Sequence, residues 1–544
     1  MRKKTRISLV SALAVLVLAV AGWQYFKYRL AHRKIAQAVA AKTKGLYLLH
    51  YDDLRFDEVA GRLHVRNIDI RPDTAVFEQM RRENRDPHVL LQIRIDSLDI
   101  SGVKTPKALF GKEIVGGRLD VVGARIRVMV HRLQKDSAVY NPAPDLAQQL
   151  LGSLLKIAVD SLQIRDASVL VGGPDSSDVY FRGDKVSLGL YHLLIDSNAS
   201  KDSSTILFSR GLSLGCKALE LPSRNRRYLF GIDSLRFTST DNTLRVGELR
   251  ISPRLSEADF AASYPMQRDR YDFWLKDIAL RHIDRKALWR KTIRADSLVI
   301  GESSFKVYRD LSRPPDTTSK VGKYPQQLLM HLPLPVSISR IIFSHSFIEY
   351  KEKNGRSHSA GKVQFYAVRA RIENVTNRRA DYGKEHRCVL DFHARFLDKA
   401  AIDARLVLFL GHPRGLFTLE GDLGSIDASA LNPLTEPMAL ARLDRGNIKL
   451  LQFAIRGTDS AAEGRVSFAY EGLKVSMLKK DSTQAAYHKK GLVSLFANIV
   501  LKNSSPAEGP EPKEVHFQRI LNKSIFNLMW KTLFMGVKKS AGIK

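Results

Sequence analysis

Cysteine is nearly absent from this 544-residue chain, with only Cys216 and Cys388. One bridge at most can form, so a disulfide framework is excluded as the source of stability. Each cysteine lies in a segment of alternating polarity, and buried free thiols are the expectation. The fifteen histidines include no H-E-x-x-H string and no Cys/His spacing suited to zinc. No glycine loop of the Walker or dinucleotide type occurs. His386 and Cys388 alternate along one segment and read as strand neighbours, not as base and nucleophile. Gly211-Leu212-Ser213-Leu214-Gly215 matches G-x-S-x-G, but that motif needs a strand-to-helix elbow. Here it sits inside an alternating run, Ile206 to Leu221, with no helical pattern after Gly215. The expectation is a chain that is not an enzyme, with no catalytic residues, no metal ligands and no cofactor.

Long apolar runs are also scarce. One stands out, the uncharged stretch Ile7 to Phe26 behind Arg2, Lys3, Lys4 and Arg6. About 20 residues of helix cross a ~30 Å hydrocarbon layer, and Trp23, Tyr25 and Phe26 stand where amphipathic rings suit the headgroups. An uncleaved single-pass anchor is the favoured reading. A cleaved signal peptide is the alternative, because Ala19-Val20-Ala21 resembles a cleavage site. With so short an N-terminal tail, the expected topology has the body of the chain on the far side of the membrane.

Acidic residues are outnumbered, 56 against 87 basic ones, a net charge of +31. Nucleic acid is the reflex partner for such a balance. The basic residues are interleaved with acids, however, and no recognition helix or stacking motif appears. Anionic lipid headgroups or other acidic envelope polymers are the expected partners, with a merely solvated surface as the alternative.

Beyond Gly45 the apolar period is two, as in Arg62-Leu63-His64-Val65-Arg66-Asn67-Ile68-Asp69-Ile70. Strict alternation indicates strands with one wet and one apolar face. A phrase, apolar-Asp-Ser-Leu-x-apolar, occurs four times, with its aspartates at 96, 160, 233 and 296. A degenerate fifth copy begins at Ile338. Repetition of this kind builds an extended surface more often than a single pocket. The Asp-Ser pairs are expected to bond nearby backbone at the turn that launches each strand. A row of calcium-binding carboxylates is disfavoured, since calcium needs six to eight oxygens at one point. The short polar stretches Arg165-Asp166-Ala167, Gly301-Glu302-Ser303 and Ser344-His345-Ser346 read as three-residue hairpin loops. The side chains expected on an apolar concave face are Leu98, Ile100, Leu162, Ile164, Leu235, Phe237, Leu298 and Ile300. The alternative is that they pack an ordinary core.

Helical pieces are few: Pro144 to Leu155, Ala75 to Glu83 and Asp284 to Lys291. Ser312 to Ser319 and Asn503 to Pro512 read as loose connections. The last 71 residues hold 13 Lys and Arg against 4 Asp and Glu. Within them Ile525, Phe526, Met529, Trp530, Leu533, Phe534 and Val537 recur at three- and four-residue steps, predicting an amphipathic helix. Phe526, Trp530, Phe534, Lys531 and Lys538 are its candidate membrane-interface residues, joined by Trp23 and Tyr25 at the other end of the chain. Packing of the helix against the β body is the equal alternative.

Two segments carry a family resemblance. One runs from Leu431-Asn432-Pro433-Leu434 through Gly446-Asn447-Ile448-Lys449-Leu450 to Ala462-Glu463-Gly464-Arg465-Val466. The other is Gly61-Arg62-Leu63-His64-Val65-Arg66-Asn67-Ile68-Asp69-Ile70. With the N-terminal apolar span and the repeated Asp-Ser-Leu phrase, the chain resembles AsmA-like bacterial envelope proteins. The resemblance is one of pattern over most of the chain. It implies a mainly β fold: an elongated, twisted antiparallel repeating β-groove with a taco-like sheet, few short helices, one N-terminal transmembrane helix and a C-terminal amphipathic helix. The implied division is an anchor over 1–42, groove units over 43–320, an AsmA-like β region over 321–480 and a basic tail over 481–544. The implied location is the inner membrane, with the bulk in the periplasm. The implied function is binding or transfer of phospholipids between inner and outer membranes, contributing to outer-membrane homeostasis. A non-transporting scaffold for assembly of outer-membrane or secreted proteins is the alternative. Membrane phospholipids and envelope proteins are the implied partners, and nucleic acid is not among them.

Overall fold

A computed structural model describes residues 39–41, 43–57, 60–104, 113–130, 155–175, 178–196, 205, 207–354, 359–383, 385–480, 487–489 and 510–542. The expected span Ile7 to Phe26, with Trp23 and Tyr25, lies outside these residues, as does the helix expected from Pro144 except for Leu155. The chain is mainly β, 60% strand and 14% helix. It divides into two units: residues up to Arg224 with Phe230–Gly247, and Asn225–Leu229 with Glu248 onward.

The first unit contains β1 (Tyr47–His50), β2 (Asp53–Asp57), β3 (Arg62–Pro72), α1 (Thr74–Arg82), β4 (Val89–Ser101), β5 (Glu113–Val122), β6 (Arg125–Val130), β7 (Lys156–Gly172), β8 (Val179–Ile195) and β9 (Ser209–Pro222). Helix α1 starts where the Asp73 carboxylate accepts from the amides of Ala75 and Val76. It buries Phe77 against Leu46 and Leu90. β3 pairs antiparallel with β4, and β4 pairs antiparallel with both β5 and β6. β5 and β6 behave as one strand bent at Gly123 (φ +67°), where a Cβ would collide with the Asp96 carboxylate. β7 then runs parallel to both, and β8 and β9 follow antiparallel.

The division between units falls within the hairpin β10 (Tyr228–Thr238) and β11 (Thr243–Pro253). The second unit continues with α2 (Glu257–Ala262), β12 (Asp269–Arg281), α3 (Arg285–Trp289), β13 (Ile293–Asp310), α4 (Pro325–Met330), β14 (Val336–Lys353), β15 (Ala360–Thr376), β16 (Arg387–Phe396), β17 (Ala400–Phe409), β18 (Phe417–Leu423) and β19 (Ile426–Asp427). It ends with α5 (Asn432–Ala439), β20 (Ala441–Gly457), β21 (Ala461–Lys480), β22 (Tyr487–Lys489), β23 (Lys513–Gln518) and α6 (Ile525–Ser540). Consecutive strands from β14 to β18 pair antiparallel, as do β18–β20, β20–β21 and β21–β23.

Three expectations are corrected. The sheet is mixed, not antiparallel, because β5 and β6 pair parallel with β7, and β13 pairs parallel with β14. A parallel joint needs a crossover of a dozen or more residues, and the 25 residues between Asp310 and Val336, including α4, supply one. Second, the polar stretches read as hairpin loops lie inside single strands. β7 runs straight through Arg165-Asp166-Ala167, and β13 and β14 run through the other two. In β7 and β14 the strand takes a left-handed residue or a register shift at this point and does not reverse, and at β13 the left-handed residue lies on the neighbouring strand β12. Asp166 (φ 53°) does so in β7, Asp277 (φ 51°) faces Gly301 of β13, and β14 shifts register between Phe343 and Ser346. Third, the Asp-Ser pairs sit within strands and do not launch them. Asp96 instead grips Arg125 of β6 across the sheet at 2.5 Å.

Candidate functional site

The repeated phrase places its apolar residues in register across many strands. In the first unit one row runs Leu63, Ile100, Leu119, Leu162, Leu190, Leu212, each directly opposite the next on β3, β4, β5, β7, β8 and β9. A second row, two residues along each strand and so on the same face, runs Val65, Leu98, Val121, Ile164, Leu188, Leu214. Most of these side chains are buried. Ile100, Ile164, Leu188, Leu214 and Leu63 are half-buried.

The second unit repeats the device on a wider scale. Leu280, Leu298, Ile341, Ile372, Leu390, Leu406, Leu419 and Ile455 stand opposite one another on β12 through β18 and β20. Seven inter-strand steps of about 4.8 Å make this lane roughly 34 Å wide. The adjoining row on the same face is Ile300, Phe343, Ala370, Phe392, Ala404, Gly421 and Phe453. Aromatic rings join it edge-on: Phe273 to Phe305 at 5.3 Å, Phe305 to Phe343 at 5.9 Å and Phe365 to Phe392 at 5.6 Å.

Burial along this lane is uneven. At the β17–β20 end, Leu406 and Ile455 share a core cluster with Ile525, Leu528 and Met529 of α6, and Phe453 packs with Val466 and Val515. From β12 to β16, Leu280, Leu298, Ile341, Ile372, Leu390, Phe305, Phe343 and Phe392 are all half-buried, Ile372 and Leu390 being packed against the same cluster as Leu406. Helix α6 thus closes one end of the lane. The opposite face of the same strands is wet and ionic. Arg371, Asp391, Arg405 and Glu420 form a row of alternating sign, with Arg405 Nε 3.6 Å from the Asp391 carboxylate. The sheet is therefore strongly amphipathic, and its apolar face suits hydrocarbon.

Polar groups gather at one end of the lane. Arg309 donates two 2.6 Å bonds to Asp269. Burial, reinforced by Asp269, pushes the Tyr271 phenol up to about 12. Burial and then Glu352 also push Tyr350 upward. These are neutral phenols at physiological pH, not bases.

The eight residues expected on the apolar face divide evenly. Leu98, Leu162, Phe237 and Ile300 are buried, while Ile100, Ile164, Leu235 and Leu298 are half-buried. The phenylalanines at 273, 305, 365 and 392 escaped sequence reasoning, although the fifth copy already carried one of the same kind in Phe343. Cys216 and Cys388 are free and buried, and burial pushes the Cys388 thiol up to about 11. Ser213 lies mid-strand in β9 opposite Gly189, and β9 continues to Pro222. Among the described residues no cluster of His, Cys, Asp or Glu has metal-ligand geometry.

Helix α6 has two working faces. Its start is capped by Ser524, whose side chain accepts from the Asn527 amide, and Lys538 and Lys539 lie in its last turn. Ile525, Leu528, Met529, Thr532 and Gly536 are buried. On the other side Phe526 (64% exposed), Trp530 (45%) and Phe534 (40%) form an aromatic stripe four residues apart. The rings of Trp530 and Phe534 stack at 5.8 Å. Lys531 and Lys538 are half-buried beside it. In comparisons with known proteins, no family model and no curated protein matches this chain.

Proposed function

We propose that this is an AsmA-like, membrane-anchored periplasmic protein that binds lipid acyl chains on its apolar sheet face and transfers lipids between inner and outer membranes, contributing to outer-membrane homeostasis. One observation carries the reading: the eight-strand lane from Leu280 to Ile455, half-buried over β12–β16. Apolar side chains left half-covered on several adjacent strands gain from a partner that covers them. Acyl chains cover such a surface while headgroups stay in water. The N-terminal apolar span supports attachment to one membrane, and the exposed stripe on α6 supports contact with a lipid interface. The test is organic extraction and mass spectrometry of the full-length protein purified in maltoside. Stoichiometric phospholipid and uptake of a fluorescent phospholipid are expected. Purification free of lipid, with no uptake, overturns the reading.

The same stripe favours a second reading, a scaffold that docks envelope proteins. Deletion of α6 does not separate the two, because its inner face belongs to the core. Exchange of Phe526 and Phe534 for serine does. Loss of a protein partner with lipid uptake intact selects the scaffold.

A further inference from the structure

At the polar end of the lane four stretches of the second unit, at 267–271, 309, 316–320 and 522–523, meet around a cavity of about 320 Å³. Its charged lining is Arg268, Asp269, Arg309, Asp316, Lys320 and Lys523, four cations against two anions. Both anions are engaged. Asp269 takes the two bonds from Arg309, and Asp316 accepts from Arg268 at 2.9 Å and from the Thr318 amide at 3.0 Å. Among the described residues, neither Lys320 nor Lys523 has an ion-pair partner. The surplus charge of the pocket is theirs.

The walls are fixed, not a chance approach of loops. Buried Arg519 donates to the carbonyls of Lys320 (2.7 Å), Lys523 (3.3 Å) and Asp459 (3.1 Å). The Lys320 amide donates to the Leu521 carbonyl at 2.8 Å, and Asn522 Nδ2 donates to the Asp316 carbonyl at 2.8 Å. Lys320 is half-buried. Burial, and then the neighbouring Arg309 charge, hold its ammonium below the usual lysine range, with Asp269 and Asp316 opposing and Lys523 adding to the depression. A cation destabilised in this way gains from an added anion. Exposed Val321 (42%) and Leu521 (57%) are chain neighbours of Lys320 and Asn522, so an anion carrying hydrocarbon meets apolar surface there.

We propose that this pocket binds a phosphate-class oxyanion between the Lys320 and Lys523 ammonium groups, supplied by a lipid headgroup or as free phosphate. Its size lies at the small end of ligand sites. The proposal goes beyond the lipid-transfer reading and stands without it. The test uses the full-length protein in maltoside, titrated calorimetrically with inorganic phosphate and, in a separate arm, with a short-chain phosphatidylglycerol. One equivalent is expected to bind, at least tenfold more weakly in Lys320→Gln and in Lys523→Gln, and unchanged in Lys474→Gln. Binding of the lipid alone assigns the headgroup, and binding of both assigns the phosphate group itself. A second measurement needs only the natural protein. The bound anion raises the depressed Lys320 pKa, so binding at alkaline pH takes up protons, read as a buffer-dependent enthalpy. Affinity falls as pH rises through that pKa. No binding in either arm, binding in the two Gln variants as tight as in the natural protein, or no proton uptake overturns the proposal.

Discussion

Leu298 of β13 stands directly opposite Ile341 of β14 in a parallel pairing, 43 positions further along the chain. Leu119 of β5 and Leu162 of β7 are paired in the same sense at the same offset of 43. The fourth Asp-Ser-Leu phrase and its degenerate fifth copy are thus neighbours in space, with the same face presented. Side chains directly opposite across strands couple by roughly 0.2–1 kcal/mol. A double-mutant cycle on Leu298→Ala and Ile341→Ala is expected to return a coupling in that range in urea unfolding. Strict additivity contradicts the contact.

Phe305 bridges Phe273 and Phe343 on the half-buried stretch of the lane. Phe305→Gln with Phe343→Gln is expected to lower co-purified phospholipid several-fold while leaving the far-ultraviolet dichroism unchanged. Retention of the full lipid complement argues that acyl chains do not lie there.

At Gly536 α6 lies tight against the sheet, since a Cβ at that position would collide with the Val466 side chain. Gly536→Val is expected to destabilise the second unit by about 1–3 kcal/mol through overpacking. Hydrogen exchange across Ile525–Ser540 is the readout, and faster exchange there is expected.

Trp530 is one of four tryptophans and lies on the exposed stripe. On vesicles containing phosphatidylglycerol its emission is expected to shift to the blue, more weakly at high salt because Lys531 and Lys538 contribute by charge. Phe526→Ser with Phe534→Ser is expected to weaken vesicle binding at least tenfold. An unmoved spectrum assigns the stripe to another partner.

Asp241 closes the β10–β11 turn. It accepts from the Thr238 hydroxyl at 2.5 Å and from Arg245 at 2.7 Å. The Thr238 bond, then the Arg245 bond, hold its carboxyl at about 2. Because the folded value is depressed, the carboxylate stabilises the turn above the unfolded value near 4 and loses that effect as pH falls toward 2. Asp241→Asn is expected to lower stability at neutral pH and to remove this part of the acid transition, followed by dichroism between pH 5 and 2.

Much of the fold was legible because alternation leaves a direct mark. Leu63-His64-Val65 and Leu119-Asp120-Val121 announce strands and their faces, and the stretches from Ala75 and from Asp284 announce two short helices. Strand length was not legible. Asp166 and Gly301 are turn-type residues, and only the neighbouring strands decide that the chain continues there without reversing. Parallel pairing was hidden for the same reason, since an offset of 43 is a property of two partners and not of either segment. The lane's rows were half visible: Leu298 and Ile300 were named from the phrase, whereas Phe273 and Phe392 lie on strands that carry no copy of it. The pocket at Lys320 and Lys523 left no sequence signal, because residues about 200 positions apart are brought together there by Arg519, by the Lys320–Leu521 backbone bond and by Asn522.

The shared offset has an evolutionary corollary. If a stretch of the gene were copied in tandem, the new strands would meet their neighbours already in phase, greasy side matched to greasy side. Such a chain gains or sheds length by whole segments without redesigning its interior, much as planks are added to a deck.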